Sequence, residues 1–273
     1  MIEALLALLF GLLIGSFLNV TIHRWPRGRS VVKPRSHCVR CRKTIAWYEN
    51  VPLASYAQLR GRCRYCGRKI SPRYPLVELA CGLLFFYFVW TLGHTPAALK
   101  MCVFTAMLLA LAFCDLEKRL LPDQFTLGGT LIGFVFAAFV PVPGYIARMV
   151  AAFSGYDLHG RAQWLAESAL GALFPAAVLW IGGWLYLKIR HREGLGFGDV
   201  KLICMAGSFV GLQNALLILL VASFVGSVVG YGYIRITRQD ASSYQLPFGS
   251  FLSLAGIAAA IAGKPLLDWY SVL

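Results

Sequence analysis

Long apolar runs alternate with short polar segments along most of this chain. Eight runs rich in aliphatic and aromatic residues fall at about 2–21, 76–92, 97–114, 125–140, 168–187, 200–212, 215–233 and 248–262. A helix that crosses a bilayer needs roughly 20 apolar residues. Several runs are shorter, but we count all eight as spans and predict an all-α polytopic membrane protein. The first run lacks a charged leader and a small-residue cleavage pattern, so we expect a retained anchor.

Composition and charge refine this prediction. Apolar residues make up 58% of the chain, charged residues only 14%, and the mean hydropathy is +0.66, which excludes an ordinary soluble domain. Fourteen of the 26 basic residues lie between Arg24 and Arg73. Basic segments stay on the cytoplasmic side, so this stretch is predicted to be cytoplasmic and the amino terminus external. The net charge of +14 follows from that bias and favours contact with membrane lipids rather than nucleic acid.

The one sizeable polar insertion, residues 23–75, contains two Cys-x-x-Cys pairs. They are Cys38 with Cys41 and Cys63 with Cys66, and 21 residues separate the pairs. This spacing is typical of a four-thiolate zinc site. Two disulfides are the alternative, but a reducing cytoplasmic loop disfavours them. The sequence therefore predicts a first transmembrane helix at 1–22, a cytoplasmic zinc-binding cap at 23–75 and a membrane core at 76–273. His37 could replace one thiolate.

Two aspartates stand at the edges of apolar runs. Asp115 ends the run 97–114, and Asp199 follows the glycine-rich turn 194–198. Ionisable groups beside the hydrocarbon layer are costly, and both acids fall on the predicted cytoplasmic boundary, so we expect them to face each other. Two adjacent carboxyl groups share one proton, and such a pair can activate a water against a peptide carbonyl. Capping of its own helix is the alternative role for Asp199, whereas Asp115 opposes the dipole of the helix it ends.

Other acids have open interpretations. Asp123 follows a proline and is expected to cap the next helix, with substrate contact as the second interpretation. Glu49 and Glu78 either accept a basic peptide or pair with nearby arginines. Lys201, one turn after Asp199, either favours the ionised acid or meets a lipid phosphate. Gly11 and Gly15 are spaced for close helix packing.

These motifs together resemble the bacterial prepilin leader peptidases of type IV pilus and type II secretion systems. The matching stretches run in order along nearly the whole chain: GSFLNV at 15–20 with Arg24 and Pro26, the two Cys pairs around IAWYENVP at 45–52, LRG at 59–61, ISPRYP at 70–75, Glu78-Leu79, Asp115 with LPD at 121–123 and Thr126, GFGDVKL at 196–202, and PFG at 247–249. Departures are Val39 and Ser250, where proline is common, and a long segment 141–167.

The resemblance implies an intramembrane aspartyl protease of the bacterial inner membrane with its active site at the cytoplasmic face. Such enzymes remove the basic leader of prepilins or pseudopilins and then methylate the new amino terminus with S-adenosylmethionine. By matching position, Asp115 and Asp199 are the catalytic pair and Asp123 is a supporting residue. The methyl-transfer half rests on the resemblance alone, since no nucleotide-binding pattern is present.

Two rival functions fit some of these features. An ion-coupled transporter also carries ionisable groups, but near the bilayer midplane and often in repeated halves, and we find no repeat. A zinc-loop assembly scaffold fits the cysteines but leaves Asp115 unexplained.

Overall fold

The chain is helical over most of its length in the computed structural model. The structure describes residues 1–153, 155–191, 194–237 and 246–272, without the side chains of 47 and 263–272. The helices are α1 Ile2–Arg24, α2 Ala54–Gln58, α3 Arg73–Leu92, α4 Pro96–Lys118, α5 Asp123–Ala137, α6 Ile146–Phe153, α7 Arg161–Arg190, α8 Phe197–Thr237 and α9 Phe248–Val272. Short 3₁₀ turns cover Trp25–Arg27 and Trp47–Asn50. Over the described ranges the only β-pairing is two isolated bridges.

Among the described residues, five helices are long and apolar enough to cross a membrane: α1, α3, α4, α7 and α8. The prediction of an all-α membrane protein is therefore confirmed, whereas the count of eight spans is not. Seven of the eight predicted runs fall within helices, and 125–140 extends three residues beyond the end of α5 at Ala137. The runs 200–212 and 215–233 both lie in α8, but Gly211, with a non-helical φ of 78° and ψ of 177°, divides α8 into two helical segments. A Cβ there would lie 2.7 Å from the Pro143 carbonyl oxygen, so the break requires glycine.

Contacts divide the chain into two compact units, Met1–Ala110 and Leu111–Leu273, and α4 contributes to both. In the first unit α1 packs along α3. A Cβ on Gly15 would lie 2.7 Å from the Glu78 Cα, and one on Gly11 would lie 2.8 Å from the Cys81 carbonyl oxygen. The prediction that these two glycines serve close helix packing is confirmed.

In the second unit α8 packs against α5, α7 and α9. Its first half is almost completely buried, and α7 approaches it so closely that the Ser168 hydroxyl donates to the Ser208 carbonyl oxygen at 2.6 Å. This half of α8 carries Asp199 in its first turn. The site described below is therefore built on the most buried stretch of the unit.

Within the long segment 141–167 lies the short amphipathic helix α6, Ile146–Phe153. Its Ala147 side is buried, and Met149, Val150 and Phe153 are exposed. The buried Glu167 of α7 accepts the Ala147 N–H at 2.7 Å, which satisfies a donor of the first turn.

Candidate functional site

Asp115 lies in the last turn of α4 and is only 5% exposed. Its Oδ2 accepts two hydrogen bonds from Ser250 in the first turn of α9, one from the backbone N–H at 2.7 Å and one from the hydroxyl at 2.9 Å. From the sequence, the Asp115 carboxylate was expected to oppose the dipole of α4, the helix that carries it. In the structure this carboxyl group sits at the amino end of a different helix, where a negative charge is favourable.

Asp199 lies in the first turn of α8 and is 8% exposed. The Asp199 and Asp115 carboxyl groups both lie next to Gly249 of α9. A Cβ built on Gly249 would lie 3.0 Å from Asp199 Oδ1 and 3.2 Å from Asp115 Cγ. Both carboxyl groups therefore converge on one small volume beside the α9 backbone, which only a residue without a side chain leaves open.

Leu121 borders the same volume. A Cβ on Gly249 would lie 2.9 Å from Leu121 Cδ1, and one on Gly198 would lie 3.1 Å from the same atom. Leu121 reaches this position because α4 ends at Lys118, Arg119 adopts a left-handed φ of 52°, and the chain then runs extended into Pro122. The acids are thus flanked by an apolar side chain, which limits the access of bulk water.

Asp123 and Lys201 form an ion pair beside this site. Lys201 Nζ lies 2.7 Å from Asp123 Oδ1 and 5.1 Å from the centre of the Phe197 ring. The predicted cap at Asp123 is not seen: Asp123 is the first residue of α5, and the N-cap, Pro122, makes no side-chain cap bond. The pair links the start of α5 to the start of α8.

The four cysteines of the two Cys-x-x-Cys pairs come together. Their Sγ atoms all lie within 4.8 Å of one another, and Cys38 and Cys66 are 3.9 Å apart. Each pair forms the same kind of turn. The Cys38 N–H donates to the Lys43 carbonyl and the Cys63 N–H to the Arg68 carbonyl, while a left-handed residue, Arg42 or Gly67, follows the second cysteine.

This arrangement fits a tetrahedral metal. With Zn–S bonds of about 2.3 Å, the sulfurs of a tetrahedral site are about 3.8 Å apart, whereas a disulfide needs about 2.05 Å. Burial raises the pKa of the Cys38 thiol, but hydrogen bonds from the Cys41 and Arg40 N–H groups and from neighbouring thiols outweigh it and lower the pKa to about 7. The Arg68 N–H lowers the pKa of Cys66, but burial and hydrogen bonds with the other three thiols outweigh it and raise that pKa to about 11. The fit to a metal therefore rests on the spacing of the four sulfurs.

Glu49 and Glu78 of the first unit have partners within the protein. Glu49 binds Arg64 at 2.8 Å, and its hydrogen bond and charge raise the pKa of that guanidinium. Glu78 accepts the Leu53 N–H at 2.9 Å. Of the two interpretations left open by the sequence, arginine pairing holds for Glu49. Contact of Glu78 with a basic peptide stays a prediction.

Comparison with known proteins agrees with this geometry. Residues 9–92 match the bacterial peptidase A24 N-terminal domain, and residues 102–231 match the type IV leader peptidase family. A protein of Aeromonas salmonicida named prepilin leader peptidase/N-methyltransferase is 36% identical over 97% of this chain and 92% of its own length. Proteins with the same name are 34% identical in Pseudomonas aeruginosa, over 97% and 92%, and 42% identical in Myxococcus xanthus, over 83% and 62%. No solved structure matches the chain significantly.

The chain belongs to the type IV leader peptidase family. The resemblance inferred from the sequence is therefore confirmed, and the two family regions fall on either side of residues 93–101.

Two departures from the family pattern can now be placed. Val39 lies in a cysteine turn whose hydrogen bonds match those of the second turn, so valine is accommodated there. Ser250 supplies both donors to Asp115. Sequence reasoning noted Ser250 only as a departure. A serine in the first turn of the last apolar helix could have indicated this role, because an N–H in that turn has no partner four residues back and is free to donate elsewhere.

Proposed function

We propose that this chain is a prepilin leader peptidase and N-methyltransferase of the bacterial inner membrane, with Asp115 and Asp199 as its catalytic pair. The observation that carries the proposal is the convergence of two buried carboxyl groups on Gly249. Family membership and the names of relatives that match nearly the whole chain support it.

The geometry is suited to hydrolysis without a covalent intermediate. One carboxylate takes a proton from a water, and that water attacks the scissile carbonyl carbon. The other carboxyl group donates a hydrogen bond to the carbonyl oxygen and then a proton to the leaving amine. Two acids that share a proton can perform both roles, and their burial strengthens each interaction.

The substrates on this proposal are prepilins or pseudopilins, cut after their basic leader at the cytoplasmic face. The excess of basic residues in 24–73 supports the cytoplasmic placement of that segment. S-adenosylmethionine is the second substrate and supplies the methyl group for the new terminal amine. Lipid headgroups are the expected neighbours of the basic face.

Zinc is the metal that we propose for Cys38, Cys41, Cys63 and Cys66. Four thiolates at tetrahedral spacing support zinc over harder cations, which prefer oxygen ligands. The metal would hold residues 23–75 together as a cap, between a first helix at 1–22 and a protease core at 76–273. The end of α1 at Arg24 and the start of α3 at Arg73 support these boundaries.

One assay tests the proposal. Purified protein is incubated with a prepilin-like peptide that carries a basic leader, and the product's amino terminus is read by mass spectrometry. We expect Asp115→Asn and Asp199→Asn each to lower the cleavage rate by at least about a thousandfold, because each removes one half of the acid–base pair. Both variants should retain their bound zinc.

The same assay separates the rival functions. Undiminished cleavage in either variant would overturn the catalytic pair. Absence of cleavage by the wild-type protein, with zinc bound, would favour the assembly scaffold, and proton-coupled uptake into vesicles would favour the transporter.

A further inference from the structure

One oxygen of Asp115 is held by two donors from a single residue. Ser250 reaches Oδ2 with its backbone N–H at 2.7 Å and with its hydroxyl at 2.9 Å, and the side chains of both residues are buried. We propose that Ser250 is a positioning residue of the protease, which fixes Asp115 in its working orientation and leaves Oδ1 as the oxygen that handles the proton. This inference rests on the proposed function.

Ser250 is itself tightly fixed. It is the third residue of α9, and its hydroxyl also lies 3.1 Å from the Ala112 carbonyl oxygen of α4. Its N–H, which makes a longer contact of 3.2 Å to the Pro247 carbonyl oxygen, belongs to the first turn and has no partner four residues back. The serine therefore binds both the last turn of α4 and the carboxyl group that this turn carries.

The two donors limit what Asp115 can do. A carboxyl group on a short side chain turns about its last bond unless its oxygens are held. With Oδ2 engaged, the group presents a single oxygen, Oδ1, for a water or a substrate. Donors on Oδ2 also stabilise the carboxylate form of Asp115.

One substitution removes a donor without adding atoms. Ser250→Ala keeps the N–H and loses the hydroxyl. A hydrogen bond to a charged group corresponds to about a tenfold change in rate. We expect kcat for prepilin-peptide cleavage to fall about tenfold in Ser250→Ala, with KM within about twofold of the wild-type value.

Ser253→Ala is the matched control. Ser253 is fully buried one turn further along α9, and its hydroxyl donates to the Gly249 carbonyl oxygen at 2.7 Å without reaching either acid. This variant should keep kcat within about twofold of the wild-type value. Active molecules are counted in each preparation by zinc content and by the cooperative thermal transition, so that kcat refers to folded protein.

The outcomes separate this inference from the proposed function. Wild-type kcat in Ser250→Ala, while Asp115→Asn is inactive, would overturn the positioning role and leave the protease intact. A loss that appears only in thermal stability, with kcat per folded molecule unchanged, would also overturn it. Cleavage by Asp115→Asn would instead overturn the proposed function.

Discussion

The cysteine cluster and the aspartate pair both bring reactive side chains together, but by different means. Each cysteine pair is closed by hydrogen bonds between residues five positions apart, such as Cys38 to Lys43 and Cys63 to Arg68. The acids come from the ends of separate helices, and Asp115 is held by a residue 135 positions away. The cluster is thus built by local turns, and the pair by the packing of helices.

This difference determines which substitutions each site can tolerate. A local turn forms from its own residues and needs the metal mainly to join it to the second turn. A pair assembled by packing depends on every contact that sets the distance between two helices, and a shift of about 1 Å can lower a rate a hundredfold. The cysteine cluster should therefore lose its metal when one ligand is removed. The aspartate pair should lose activity after small steric changes.

The largest effect is expected from the loss of a cysteine ligand. Cys41→Ser should abolish stable zinc binding, because a structural site contributes about 10–16 kcal/mol of apparent binding free energy only when all four thiolates are present. Metal analysis would show the loss of zinc, and hydrogen exchange should rise across 37–69 while the first half of α8 keeps its protection. Cys204→Ser, a change in α8, should keep its zinc. Full zinc occupancy in Cys41→Ser would contradict the four-thiolate assignment.

The next effect concerns the space beside the acids. In Gly249→Ala the new methyl group would lie 2.9 Å from Leu121 Cδ1, 3.0 Å from Asp199 Oδ1 and 3.2 Å from Asp115 Cγ, so Leu121 and both carboxyl groups must shift. We expect cleavage to slow by about a hundredfold with zinc retained. The control is Gly128→Ala, since a Cβ there meets nothing within 4 Å. Normal cleavage by Gly249→Ala would mean that this volume is not the reaction site.

The smallest effect is expected at the ion pair between Asp123 and Lys201. The Asp123 side chain is 57% exposed, so the pair contributes at most about 1 kcal/mol. Lys201→Met and Asp123→Asn should each reduce kcat/KM by no more than about fivefold. Because either single substitution already breaks the ion pair, the double variant should be no slower than the slower single variant. Additive losses in this cycle would show that each residue acts independently.

The sequence predicted much of this structure because its strongest signals are local. Apolar runs predicted helices, and the spacing of Cys38, Cys41, Cys63 and Cys66 predicted the cluster. Asp115 and Asp199 were found from their positions at run edges. The number of spans was not confirmed, because α5 has 15 residues and the apolar part of α9 covers only Phe248–Ala262, and both are shorter than a span requires.

Contacts between distant segments were the part that sequence patterns missed. Lys201 meets Asp123 over a separation of 78 residues, and Ser250 meets Asp115 over 135. Asp123 was expected to cap a helix because its local context, after a proline, favours that role. Helix packing places a lysine within its reach instead, and no local pattern contains that information.

The tethered oxygen of Asp115 sets a requirement for inhibitors of this enzyme. An inhibitor that mimics the transition state with two hydroxyl groups on one carbon normally forms hydrogen bonds to all the oxygens of an aspartate pair. Here one of those oxygens is already occupied by protein donors. A compound with a single hydroxyl group, directed between the remaining oxygens, should therefore gain nearly all of the binding free energy that the pair can supply. It would also avoid the cost of removing water from a second polar group.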